Sequence, residues 1–190
     1  VGLYRSGIRP LLRLVQLLLF PSEPVAAAPE AAVVRRRPGV KAKPKARRPS
    51  PRAEAYDAVV AEMKHAYGFR VRRWRRSMSG CAWELRFRDG RVQRMLESPY
   101  PKSPLSCAIF LHEVGHHAIG LGAVRPRCLE ELRAWEWSFA AMEARGLEID
   151  DRTRDRFRRS MEYAVAKATR RGIARLPGEL RAFLPAAARA

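Results

Sequence analysis

Three of the four histidines fall within one hexapeptide, His112-Glu113-Val114-Gly115-His116-His117. On an α-helix, residues four apart stand one above the other, so the imidazoles of His112 and His116 can reach a single metal ion. Glu113 is turned by about 100° from His112, which sets its carboxylate beside the ion's open position rather than on the ion. From there it can take a proton from an attacking water and return it to a leaving amine, the work of a general base. The apolar lead-in from Leu105 to Leu111 favours a buried helix at this point. Gly115 inside that helix costs about 1 kcal/mol relative to Ala, which implies that another backbone packs close beside it. His117 belongs on the helix flank, hydrogen-bonded or solvated. His65 stands alone on another predicted helix and reads as an ordinary histidine.

The pattern is HExxH, in which paired histidines hold zinc and the glutamate serves as base. A catalytic zinc takes three protein ligands and keeps one position open, so a third ligand must follow downstream. Gly120 and Gly122 end the first helix and Pro126 suits the first turn of the next, so the two can run antiparallel across a short loop. His116 and Glu131 then both lie about 6 to 8 Å from the turn, level with one another. The apolar stripe of the second helix is Cys128, Leu132, Trp135, Phe139 and Met142. A helical wheel sets Glu131 about 70° from its centre and Glu130 about 170° away, so Glu131 faces the first helix and Glu130 faces solvent. Glu136 flanks the stripe on the other side, about one and a half turns further from the loop, and ranks second. The plainer reading of Glu131 is an acid favoured by the helix dipole. Trp135 and Trp137 read as core and rim.

These residues need a scaffold. Ala55, Val59, Met63 and Ala66 recur at helical spacing and Gly68 stops the run, which predicts a helix over residues 53–67. Strands are predicted at 69–76 and 81–88, the second with Trp83, Leu85 and Phe87 inward. Asp89-Gly90 is a hairpin turn leading into a strand at 91–97, so these last two strands pair antiparallel. Helices follow at about 105–119, 126–145 and 151–171. The expected fold is α+β: one zincin-like domain over residues 53–172, with a small antiparallel sheet packed on the HExxH helix and two to three further helices.

Composition adds boundaries. Lys and Arg number 38 against 19 acids in 190 residues, a net charge of +19 that attracts nucleic acid and anionic surfaces non-specifically. Residues 1–52 hold 12 of the basic residues and only Glu23 and Glu30, and their Pro/Ala-rich run predicts a disordered leader able to contact nucleic acid. The apolar run Leu11–Phe20 is too short to span a bilayer and is broken by Arg13 and Gln16. With Ala26-Ala27-Ala28 behind it, that run has part of a signal peptide's pattern, against which stand Arg13 and Pro29. Cys81, Cys107 and Cys128 form no CxxC pair and no disulfide framework, which suits a reducing cytoplasm. Residues 173–190 read as an Ala-rich tail.

The HExGH helix followed by Glu131-Leu132-Arg133-Ala134-Trp135-Glu136-Trp137 resembles the minimal gluzincins and is similar to the ImmA/IrrE-type metallopeptidases. The third ligand of that family is the Glu of an ExxA-plus-aromatic helix, which again implies Glu131. A short sheet precedes the active-site helix there, a part that the hairpin at 81–97 would supply. The resemblance covers about residues 55–145. It implies hydrolysis of a peptide or protein substrate with Zn2+ held by His112, His116 and Glu131, and with Glu113 as base. No helix-turn-helix pattern is present, so repressor cleavage is not implied. Tyr163 and Arg133 are candidate donors to the oxyanion. The rival reading is a non-catalytic basic protein with a structural or vestigial zinc site, which binds nucleic acid through surfaces such as Arg70–Arg76 with Trp74, or binds a partner protein.

Overall fold

The computed structural model describes residues 50–185. The basic leader, its apolar run and its signal-like pattern lie outside the described residues, apart from Ser50, Pro51 and Arg52. Helix α1 (Pro51–Tyr67) starts two residues before the predicted boundary at 53. Ser50 caps it by accepting from the Ala53 N–H, and Pro51 brings a φ already suited to the first turn. The helix ends on Gly68 at φ 60°, a left-handed conformation that a Cβ would oppose. Tyr56, Val59, Val60 and Met63 form its buried face.

Strands β1 (Arg70–Arg75), β2 (Cys81–Arg86) and β3 (Val92–Pro99) form one sheet in the order β1-β3-β2. The Asp89-Gly90 hairpin holds: β2 and β3 pair antiparallel from Cys81↔Glu97 to Arg86↔Val92. The sheet is mixed rather than antiparallel, because β1 pairs with β3 in parallel, Arg70 opposite Met95 and Trp74 opposite Ser98. After β1 the chain leaves a strand-wide slot before β2, and β3 returns through the hairpin into that slot with β1's direction. Local periodicity carries no record of such an order.

The inward set predicted on β2 is also corrected. Trp83 is half-buried, but Leu85 and Phe87 are 43% and 46% exposed. Burial along β3 explains this, for it rises from exposed Val92 to fully covered Leu96–Pro99. The hairpin tip runs beyond the layer that covers its base.

Helix α2 (Pro104–Ile119) begins at a capping box in which Ser103 and Ser106 each accept from the other's backbone N–H. It is buried at every position from Pro104 to His117, so it is the central element and not an amphipathic one. Helices α3 (Arg127–Glu143) and α4 (Asp151–Arg170) pack beside it, α4 capped by Asp150 accepting from the Thr153 N–H at 2.8 Å. Part of the expected tail folds: a short 3₁₀ helix at Gly178–Phe183 buries Leu180 completely and sets Phe183 edge-on to Phe157. Among the described residues no helix is long and apolar enough to cross a membrane.

Candidate metal centre

Two helices meet here closely enough to demand a glycine. A Cβ on Gly115 would lie 2.8 Å from the Ala134 carbonyl oxygen, so the close backbone implied by the sequence is that of α3. Glu131, one turn before Ala134, is thereby set against the two imidazoles. Glu131 Oε2 stands 3.2 Å from His112 Nε2 and 3.6 Å from His116 Nε2, and one donor atom from each of the three residues lies within 4.8 Å of the others.

The three could hold a metal ion, and their spacing can be compared with that of a zinc site. Bonds of about 2.0–2.1 Å in a tetrahedron place neighbouring donor atoms about 3.3–3.4 Å apart. The separations of 3.2 and 3.6 Å bracket that value. Two imidazoles with one carboxylate make a three-ligand set of the catalytic kind. Burial pushes His112 below its usual pKa, against the pull of the close Glu131 carboxylate, which favours the neutral ring a metal needs. Burial acts on His116 as well, yet Glu131 and the charge of Glu113 carry it above its usual value. Burial alone would raise Glu131, but the two imidazoles overcome it and hold the carboxyl well below the carboxylate range.

Glu130 is not where the helical wheel puts it. It is 1% exposed, its Oε1 3.2 Å from His116 Nδ1 and accepting from Arg127 Nη1 at 2.9 Å. The wheel treats only apolar side chains as inward, whereas a carboxylate paired on two sides can be buried at the same angle. Arg127 also donates through Nε to Glu131 Oε1 at 2.9 Å, so one guanidinium braces both acids. The arrangement is the carboxylate–imidazole pairing that orients metal ligands. His112 Nδ1 has no such support and is buried without a hydrogen-bond partner among the described residues. Glu136 lies apart, paired with Arg133 at 2.8 Å, and Arg133 is held there and by Glu179.

Glu113 is 6% exposed, and burial pushes its carboxyl up to about 7. Its room is made by Gly80, at which a Cβ would come within 2.3 to 2.5 Å of the Glu113 side chain. Gly80 was missed, and the only signal was a small residue immediately before a strand. His117 is buried, bonded through Nε2 to the Met95 carbonyl at 3.0 Å and stacked on Phe69, away from the cluster. His65 is exposed. Trp135 stacks on His112 with ring centroids 4.5 Å apart.

A cleft of about 490 Å³ opens beside the cluster, bounded by His112, Glu113, Glu131 and Trp135 on one side and by one face of α4, including Tyr163, on the other. A buried base at the mouth of such a cleft, next to three convergent donors, can deprotonate a water held there. Compared with family models, curated proteins and solved structures, the chain finds no match.

Proposed function

We propose that this chain is a zinc-dependent peptidase of zincin-like fold. The observation that carries the reading is the convergence of His112, His116 and Glu131 with Glu113 adjacent, in a cleft open to a substrate. Bound zinc would supply Lewis acidity, polarising the scissile carbonyl and acidifying water. Glu113 takes a proton from the attacking water as its oxygen bonds to the carbonyl carbon, then passes it to the amine nitrogen as the C–N bond breaks. Glu130 and Arg127 hold His116 and Glu131 in position. Strand β2 is a sheet edge whose first residue follows Gly80, so an extended substrate can pair along it next to Glu113. Tyr163, 62% exposed in the cleft wall, is better placed than Arg133 as an oxyanion donor.

The nucleic-acid reading has less support from the basic strand than its sequence implies. Arg72, Arg73 and Arg75 are drawn onto buried Glu97, and Trp74 packs on Tyr100 and Phe110. Metal analysis of the purified full chain should give one zinc per molecule, and the zinc-loaded protein should cleave an unfolded protein such as casein. Glu113→Gln should keep the zinc and lose turnover. A chain that binds no zinc, or a Glu113→Gln variant as active as wild type, would sink the proposal.

A further inference from the structure

Six basic side chains of the described residues are half-buried: Arg75, Arg94, Arg133, Arg145, Arg156 and Lys167. Four of them face carboxylates. Arg75 meets Glu97 at 2.9 Å, Arg94 stands 4.0 Å from Glu84, Arg133 meets Glu136 at 2.8 Å and Arg145 meets Glu62 at 2.9 Å. The two that line the cleft, Arg156 and Lys167, have no carboxylate partner among the described residues.

Arg156 is nevertheless held in place. Its Nη2 donates to the Met78 carbonyl at 2.9 Å, while its Nε is buried with no acceptor. The hydroxyl of Ser160, one turn along and lining the same cleft, makes no hydrogen bond to a described residue. Lys167 stands over the Tyr163 ring at 5.9 Å. Positions 156, 160, 163 and 167 fall on one face of α4. A half-buried cation without a counter-charge carries a desolvation cost that an incoming anion can offset. For the other four half-buried cations the chain supplies that anion itself; for Arg156 and Lys167 no described residue does.

We propose that the segment taken into the cleft is acidic, one carboxylate being accepted by Arg156 with Ser160 and a second by Lys167. This rests on the peptidase reading, since it takes the cleft to be where a peptide lies. Eleven helical residues set positions 156 and 167 about 16 Å apart along α4, a span that an extended chain covers in about five residues. The favoured substrate therefore carries two acidic groups about five residues apart. A chain terminus can supply one of them.

The test uses the zinc-loaded full chain and three quenched fluorogenic peptides of equal length. The first has two Glu at that spacing and an amidated C-terminus, the second has Gln at both places, and the third has the Gln sequence with a free C-terminal carboxylate. The basic leader attracts any acidic peptide, so the readout is the contrast between variants at fixed ionic strength. Arg156→Gln and Lys167→Gln should keep zinc and Tm yet each lower the Glu-over-Gln preference in kcat/KM about tenfold. Arg154→Gln, which removes the same charge from an exposed position of α4, should leave the preference unchanged. Preference for the third peptide over the second, lost in Arg156→Gln, supports the inference and assigns that carboxylate to a chain terminus. Binding of the peptides to Glu113→Gln, read by anisotropy, separates the two readings. An Arg156-dependent preference in binding with no hydrolysis by wild type keeps the acidic ligand and discards the peptidase. Hydrolysis with no Glu preference, or with one that Arg156→Gln does not change, overturns the inference and keeps the peptidase. Tighter Arg156-dependent binding of a single-stranded oligonucleotide than of the Glu peptide also overturns it.

Discussion

Replacing Glu130 by Gln changes one oxygen into an amide nitrogen on a side chain that is 1% exposed. The carboxylate's Oε1 faces His116 Nδ1 at 3.2 Å and accepts from Arg127 Nη1 at 2.9 Å. A carboxylate can only accept, so this contact favours the His116 tautomer with its proton on Nδ1, which leaves the Nε2 lone pair for a metal and adds basicity from the negative charge. An amide oxygen keeps the ring's orientation but not that charge, and Glu131 becomes the one carboxylate paired with Arg127 among the described residues. Loss of such an outer carboxylate lowers metal affinity about 10- to 100-fold, or about 1.4 to 2.8 kcal/mol. Competition against a chromophoric zinc chelator near neutral pH measures it directly. Glu136→Gln is the control, because that carboxylate is exposed and paired only with Arg133. A Glu130→Gln zinc affinity within about twofold of wild type, at unchanged Tm, would refute the reasoning: either His116 is not held through this contact or it does not ligate.

Three further outcomes are expected. Gly80→Ala should fold and keep zinc while losing most turnover, since the three atoms nearest the new methyl all belong to the Glu113 side chain, which can swing away; kcat/KM equal to wild type would show that the carboxylate needs no such room. Gly115→Ala meets backbone instead, and overpacking of about 1–3 kcal/mol should outweigh a helix-propensity gain of about 1 kcal/mol. Its Tm should fall and its zinc affinity weaken together, and a raised Tm would contradict the close approach of α3. Burial pushes the Cys107 thiol up to about 12, above the unfolded value of about 8.5. The folded value being the higher, its contribution is complete below about pH 8.5 and is lost as pH climbs toward about 12. Urea unfolding across the alkaline range should therefore show a shallower decline for Cys107→Ala, and parallel curves would count against a buried thiol.

The helices were legible nearly to their ends, because residues such as Gly68 and Gly120 stop them by local chemistry. The level placement of Glu131 with His116 followed from helix rise and a short loop alone. Glu130 was misread because its burial depends on two polar partners, His116 on α2 and Arg127 one turn earlier on α3, and a wheel of apolar residues registers neither. The parallel strand was invisible for a related reason, since pairing order is a property of the closed sheet. Gly80 and the α4 wall escaped differently. A glycine kept for space looks like one kept for a turn, and Arg156 and Lys167 sit on a helix so rich in charge that its polar face reads as solvated.

Helix α2 has one more consequence. Every residue from Pro104 to His117 is buried, so its amides have no exposed face from which to fray. Hydrogen exchange through this helix must then proceed by the opening that melts the domain, not by a local one. The two histidines meant to grip a cation therefore stay in register until the domain opens, and any earlier loosening of the site has to come from Glu131, which sits on α3 and is partly exposed.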